Sequence, residues 1–460
     1  MVEDFFYSVH TIQKLFGIDS FDFNSQLTSI TTSSREAKKN SLFIPLKAER
    51  DGHAFIEDAF SNGAILAIAE IGNPILQKLS KEILRNLILV ENTFYALGEI
   101  ARFHRMRFKP FVIGITGSSG KTTTKEIFTS IALELGKKNI VSTEKNYNNE
   151  IGVPFTLFKI NSNTKFLICE MGMNHKGEIS RLTKMVQPDI AMITNIGPCH
   201  IENLKSIEGI TKAKAEIIEG MKPGSKLFIP KSTEYLPLIL EIAKRYSVKV
   251  CTFDLTTSKV LKVIETKSEG FQLNLYSESL VWNLPGRKIL ENISGIIELL
   301  NSIDFDKKKI ISGLKKFKAA DKRFVIENNF YKIINDTYNA NPDSMKSSIE
   351  AVEQLASDKK YFLVLGDMKE LGKFSKKYHS EIGRFISAKK CSSVFSFGTD
   401  SKWITENLDK TILGKHFSID SFDELLESIQ KFIPKNAYIL IKGSRSMKME
   451  KIVERLRNVR

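Results

Sequence analysis

The sequence predicts an α/β fold in three domains: a small N-terminal α/β domain, a central domain on a parallel sheet, and a C-terminal domain of Rossmann-like topology. Three observations carry that expectation. The chain has 460 residues, too many for one core and near three domains at ~150 residues each. Continuous apolar runs such as "FVIGIT", "KFLICEMG" and "DIAMITNIG" alternate with helical patterns, as in a parallel sheet covered on both faces. From about residue 319 onward, strand and helix patterns alternate regularly to the end.

Residues 1–108 form the first expected domain, with short strands at "SLFIPL", "AILAIAE" and "NLILVE" and a helix at "HAFIEDAFSNG". The basic segment "FHRMRFKP" follows and reads as a linker, with Pro110 ending any preceding helix. Residues 109–318 form the second domain. Residues 319–460 form the third, with strands at "YKIINDTY", "KYFLVLGDM", "SSVFSFG" and "AYILIKGS" and helices at "NPDSMKSSIEAVEQLA", "KKYHSEIGRFISA", "SFDELLESIQKF" and "KMEKIVERLR". This doubly wound third domain has no G-x-G-x-x-G, so it is not read as dinucleotide-binding.

Composition narrows the class. Hydrophobic residues make 42% and charged residues 26% of the chain, as in ordinary globular protein. The net charge of +15 comes from lysines spread over the whole length, without a block of like charge. That favours an anionic small-molecule substrate over a nucleic-acid partner. The N-terminus lacks the parts of a signal peptide, and no apolar run nears the ~20 residues of a membrane helix. Cys169, Cys199, Cys251 and Cys391 form no C-x-x-C pair. A cytoplasmic protein is expected, with no membrane insertion and no nucleic acid.

The chemistry begins at "FVIGITGSSGKTTTKEIF", residues 111–128. The usual phosphate-binding spelling G-x-x-x-x-G-K-[ST] would start at position 115, which is Ile115. Thr116 to Thr123 match instead the variant T-G-[ST]-x-G-K-T-[ST], which gives the central domain its P-loop ATPase type. Gly117 and Gly120 let the backbone turn tightly, and with Ser118 and Ser119 aim N–H groups at phosphate oxygens. Lys121 would reach the terminal phosphates of ATP, the Thr122 hydroxyl would ligate Mg²⁺, and Thr123 continues a helix whose N-terminus favours anions. Glu170 ends one apolar strand and His200 follows another, where ligands bind in open parallel sheets. Mg²⁺ prefers oxygen, so His200 would act on it through water.

Beyond that loop, "NYNNEIGVP", "EMGMNHKGEI" and "TNIGPCHIENL" follow in order, and the sequence resembles the Mur ligases, the ATP-dependent amide-forming enzymes of peptidoglycan precursor synthesis. The resemblance covers essentially the whole chain. "NDTYNANPDSM", "LGDMKELG" and "IKGSRSMKME" are spelled as in the branch that adds a dipeptide. It implies that D-alanyl-D-alanine is joined to the terminal carboxylate of UDP-N-acetylmuramoyl-tripeptide by a monomeric enzyme using ATP and Mg²⁺. A diamino-acid-adding sibling or a folylpolyglutamate synthase is the alternative, distinguished by acceptor.

The resemblance also implies site residues. Lys121 and Thr122 hold phosphates and metal, and Glu170 and His200 position the metal. Lys214 aligns with a lysine that is carbamylated in sibling enzymes. Asn148 and Asn149 line the central site, and Asn292 contacts adenine. Arg323, Asp336, Tyr338, Asn339 and Asn341 lie where the third domain closes over the nucleotide. Ser33, Ser34 and Arg35, with Asp51, Gly52 and His53, belong to the segment that binds the uridine nucleotide sugar. Three departures stand out: Ser33 where the family has Asp, Lys288 and Ile289 where His and Asn are usual, and Lys322 before Arg323 in place of Gly. All three touch the uridine and adenine ends and leave the phosphate and metal residues intact.

Overall fold

The computed structural model describes residues 2–18, 25–319 and 322–459. The boundary between the second and third expected domains abuts residues 320 and 321, which lie outside the described residues.

The first sheet holds β1 (Val2–Ser8), β2 (Gln26–Thr31), β3 (Ser41–Phe43), β4 (Ala64–Glu70) and β5 (Leu87–Val90) in chain order. Only the β1–β2 pair is antiparallel. The helix Thr93–Phe108 then leads to the second sheet.

That second sheet is wholly parallel. It contains β6 (Phe111–Thr116), β7 (Ile140–Ser142), β8 (Phe166–Glu170), β9 (Ile190–Ile193), β10 (Lys226–Pro230) and β11 (Lys249–Phe253), ordered β11-β10-β9-β6-β8-β7. Strand periodicity explains its apolar runs: Val112, Leu167, Ala191 and Ile193 enter one core, while Ile113, Ile168 and Met192 enter the core on the opposite face. The chain leaves β6 toward β7 and later returns to the other side at β9. The order therefore reverses beside β6, and such a reversal opens a crevice at the carboxyl ends of the strands.

Next comes an antiparallel sheet of β12 (Leu261–Lys267), β13 (Gly270–Leu275) and β14 (Glu278–Trp282). The last sheet holds β15 (Val325–Asn328), β16 (Lys332–Asp336), β17 (Tyr361–Gly366), β18 (Ser393–Phe397), β19 (Leu413–Phe417) and β20 (Tyr438–Lys442), ordered β15-β16-β20-β17-β18-β19. Its strands are parallel except at the β15 edge.

The segment "FHRMRFKP" is not a linker. It forms the last turns of the helix Thr93–Phe108, and both His104 and Arg105 are buried. Arg105 donates to the carbonyls of Val186 and Gln187 at 3.0 and 3.1 Å. His104 Nε2 donates to the Ile160 carbonyl at 2.8 Å, which leaves Nδ1 to accept from the Tyr7 hydroxyl at 2.9 Å. These side chains bond the helix to the second sheet's layer, so a basic run that looks solvated in sequence is an internal joint. The helix stops at Lys109, whose left-handed backbone precedes Pro110.

Candidate active site

The loop after β6 is shaped by its glycines. Gly117 has φ +152°, and a Cβ there would come 1.9 Å from Thr194 Oγ1. Gly120 has φ +75°, and a Cβ there would meet Asn292 Nδ2 at 2.8 Å. Neither position accepts a side chain without displacing a neighbour. The residues after β9 brace the loop: Ser118 N–H donates to the Asn195 carbonyl, Ser119 N–H to Asn195 Oδ1 at 2.8 Å, and Thr194 Oγ1 to the Ser119 carbonyl at 2.6 Å.

Lys121 opens the helix Lys121–Ala132, and its ammonium donates to the Gly117 carbonyl at 2.7 Å. The charge thus lies over the loop's own concavity, beside the helix N-terminus. The Thr122 hydroxyl donates to Glu170 Oε2 at 2.8 Å, and Asn148 Nδ2 donates to Oε1 at 2.8 Å. Parallel pairing of β6 with β8 brings this about, because Ile115 stands opposite Glu170. Glu170 is buried with both oxygens bound.

His200 sits in a left-handed turn, and its Nδ1 meets the Glu370 carboxylate from the third domain. The bond to His200 holds the Glu370 carboxyl below its ordinary range, against the opposing effect of burial. Lys214 lies buried in the helix Ile207–Ala215. Burial pushes its ammonium down to about 8; the nearby Lys121 charge acts in the same direction and Cys199 in the opposite one.

The third domain supplies the other wall. At the end of β16, Asp336 accepts from Lys442 Nζ and from the Ser348 hydroxyl, each at 2.6 Å. Lys442 also donates to the Asn339 carbonyl at 2.9 Å. The Arg323 guanidinium lies 3.8 Å from the centre of the Tyr338 ring. Asn341 caps the helix Pro342–Ala356 and donates from Nδ2 to the Ser118 carbonyl at 3.1 Å.

Between these walls is a cavity of about 400 Å³. Ser118, Ser119, Gly120, Lys121, Thr122, Thr123, Asn148, Glu170, His200, Asn292, Arg323, Asp336, Tyr338, Asn339 and Asn341 all line it. Gly117, Asn149 and Lys214 are not part of that lining: Lys214 is buried and Asn149 exposed, its Oδ1 accepting from Gly152 N–H at 2.9 Å at the start of the helix Gly152–Leu157. Asn292 Oδ1 is buried without a hydrogen-bond partner among the described residues. Such an acceptor suits an exocyclic amine. Lys288 and Ile289, where His and Asn were expected, also line the cavity, and Lys288 pairs with Glu291 at 2.6 Å.

The N-terminal group lies elsewhere. Ser33, Ser34 and Arg35 form a short turn in which Ser34 is buried and Arg35 exposed. His53 is buried, Nε2 accepts from Glu70 N–H at 2.9 Å, and Nδ1 therefore carries the proton donated to Asp51 at 2.6 Å. Asp51 also accepts from Asn73 at 3.0 Å and caps the turn Gly52–Phe55. Burial would raise the Asp51 carboxyl, but its hydrogen bonds outweigh burial and lower it to about 2.

Asn195, Asp343, Lys442 and Glu370 escaped the sequence reading as site residues. Asn195 was readable in "TNIG", since it follows a central parallel strand directly. Lys442 ends the strand in "YILIK", where an ammonium in an apolar run calls for a carboxylate partner.

The Mur ligase middle domain model matches residues 115–300, and the Mur ligase glutamate ligase domain model matches residues 323–445. The Bacillus subtilis protein named UDP-N-acetylmuramoyl-tripeptide–D-alanyl-D-alanine ligase is 35% identical over 444 residues, covering 93% of this chain and 92% of its own. The chain belongs to the Mur ligases. Among solved structures, MurF from Acinetobacter baumannii superposes with TM-score 0.88 at 28% identity and 100% coverage of both chains. MurF ligase from Thermotoga maritima in complex with ADP gives 0.79 at 28% identity, covering 93% of this chain and 96% of that one. In this Mur ligase the phosphate loop, Glu170, His200, Lys214 and Asn292 fall within the middle-domain match, and Arg323, Asp336 and Asn339 within the C-terminal match. Ser33 to His53 precede both.

Proposed function

We infer that this chain is an ATP-dependent ligase that joins D-alanyl-D-alanine to the terminal carboxylate of UDP-N-acetylmuramoyl-tripeptide, giving the pentapeptide precursor for peptidoglycan. One observation carries the reading: similarity to the B. subtilis dipeptide-adding ligase runs through 93% of the chain, across the phosphate loop, the third domain and the N-terminal segment alike.

Carboxylates do not condense with amines in neutral water, because oxide is a poor leaving group. The peptide carboxylate oxygen attacks the γ-phosphorus of ATP, the bond to ADP breaks, and an acyl phosphate results. The neutral amine of the dipeptide then attacks the acyl carbon, releases inorganic phosphate and loses one proton. Lys121 neutralises charge on the phosphoryl oxygens, and no protein nucleophile is needed. Asn292 Oδ1 accepts from the adenine amine. Tyr338 and Arg323 form a flat wall at the nucleotide, while Asp336 and Asn339 are held in place by Lys442. Asn148 fixes Glu170, and Asn149 fixes the turn that carries Asn148.

Mg²⁺ fits the residues present. Glu170 and Thr122 offer hard oxygen atoms side by side, and among the described residues no His, Cys, Asp and Glu cluster forms an all-protein metal cage. Mg²⁺ takes one or two carboxylates plus phosphate and water in such sites. When bound it would add positive charge to the phosphates. His200 is the adjoining outer group. A neutral Lys214 amine is the form that reacts with carbon dioxide, so its lowered pKa favours a carbamate there.

Ser33, Ser34, Arg35, Asp51 and His53 shape the uridine end, with Asp51 and His53 acting as its internal frame. We divide the chain at 1–108, 109–318 and 319–460, a division supported by the separate first, second and last sheets. Among the described residues no helix is long and apolar enough to cross a membrane, and a monomer acting in the cytoplasm on small nucleotide substrates is the working picture. Incubation with ATP, Mg²⁺, UDP-muramoyl-tripeptide and a panel of acceptors, followed by mass measurement, tests the assignment. Only D-alanyl-D-alanine should extend the substrate; equal extension by a diamino acid or glutamate overturns it.

A further inference from the structure

The first turn of the helix Pro342–Ala356 touches the phosphate loop's surroundings at two points. Asn341 reaches the Ser118 carbonyl, as described above. Two residues on, Asp343 Oδ2 accepts from Asn195 Nδ2 at 3.4 Å. The same Asn195 side chain accepts from Ser119 N–H through Oδ1. One amide is therefore held between the loop's backbone and a third-domain carboxylate. The two surfaces are in close contact, because a Cβ added to Gly197 would come 1.6 Å from Asp343 Oδ2. Burial pushes the Asp343 carboxyl up, with Lys346 and Lys288 opposing, so this carboxyl is poorly solvated and depends on its donor.

The partners dictate how the amide must face. A backbone N–H can only donate and a carboxylate can only accept, so Oδ1 has to face Ser119 and Nδ2 has to face Asp343. Turned over, the amide would set donor against donor at Ser119 and oxygen against oxygen at Asp343. The carboxylate therefore favours the one orientation that braces the loop.

We propose that Asp343 is a positioning residue for phosphoryl transfer: it fixes the Asn195 amide, and through it couples seating of the third domain to the shape of the phosphate loop. This rests on reading the loop as the ATP site. It also assigns a use to an acidic residue at a helix start that contributes nothing else to the cavity.

The test is Asp343→Ala in the full chain, read by ATP kinetics and by hydrogen exchange of the loop peptide 116–122. The KM for ATP should rise about tenfold, the scale of one charge-assisted hydrogen bond, while kcat changes less. Exchange in the loop peptide should rise although the substitution lies in another domain. Asp343→Asn keeps an acceptor oxygen and should restore both readouts. Asn195→Ala, which also removes the Ser119 bond, should cost at least as much as Asp343→Ala, and the double variant should be no worse than Asn195→Ala; the Asn195→Ala and Asp343→Asn arms stand if Asp343→Ala fails to fold. Unchanged KM and exchange in Asp343→Ala, no rescue by Asn, or effects that multiply in the double variant would overturn the proposal. ATP protection of the loop peptide in the unaltered protein tests the ATP reading separately: its absence removes both, whereas protection beside an indifferent Asp343→Ala removes only this inference.

Discussion

At the phosphate loop, Lys121 and Glu170 bring charge to the wall of a cavity; Lys121 bonds to the Gly117 carbonyl and Glu170 to the Thr122 hydroxyl, and all three side chains still line the space. In the N-terminal corner, Asp51, His53, Asn73 and Glu70 are as densely polar, yet they bond to each other and Lys47 closes the group on Glu70. Both stretches resemble family motifs, the phosphate loop without departure and the N-terminal one with Ser33 in place of Asp. The difference shows that a motif's polar residues serve chemistry only where the fold turns them toward a space, and otherwise serve as framework.

Substitutions should separate the two regions by kind as well as size. The largest effect is expected from Lys121→Ala, with tripeptide-dependent ADP release falling by about 10³-fold or more and the melting temperature nearly unchanged. Near-normal turnover would break the contrast at its active end. Lys214→Ala should lower kcat by roughly 10²-fold. In the unaltered protein, ¹³C-bicarbonate should give a carbamate carbon signal that disappears in this variant. A carbamate signal absent at every bicarbonate level would restrict Lys214 to a charge role.

At the other end, His53→Ala should act on stability. It strands the Glu70 N–H and removes a bond from Asp51, costing about 1–3 kcal/mol, read as a lower urea midpoint with kcat per folded molecule retained. A variant of full stability whose KM for the nucleotide sugar alone rises would make this corner a binding surface after all. The smallest effect is the acid dependence of Asp51. Its carboxyl is lower folded than unfolded, so its contribution is present above about 3.8 and is lost as pH falls toward about 2. Half-exposure keeps it modest. Asp51→Asn should flatten acid unfolding in that window, and an unaltered acid curve would remove the carboxylate from the frame.

Much of this was legible in sequence. The third domain's longer helices and most of its strands declared themselves because β17, β18 and β20 are buried apolar runs set between amphipathic helices; the four-residue helix Lys402–Thr405 did not. Other elements did not. Strand β12 has one buried residue in seven and β19 one in five, so neither carries the alternation that marks a strand. They exist through pairing with β13 and β18. The linker expectation failed because burial of Arg105 depends on two carbonyls some eighty residues away. For the site, local spelling found the loop, Glu170 and His200. Glu370 and Asp343 reach the site through contacts between domains, which no local pattern records, whereas Asn195 follows β9 and was open to the same reasoning as Glu170.

On the proposed function, the loop around Lys121 delivers a phosphoryl group to a peptide carboxyl oxygen. The tripeptide substrate labelled with ¹⁸O in its terminal carboxylate tests it directly. Turnover with ATP and D-alanyl-D-alanine should release inorganic phosphate carrying one ¹⁸O atom per molecule. Unlabelled phosphate, with one label kept in the amide and the other lost to water, would contradict that transfer.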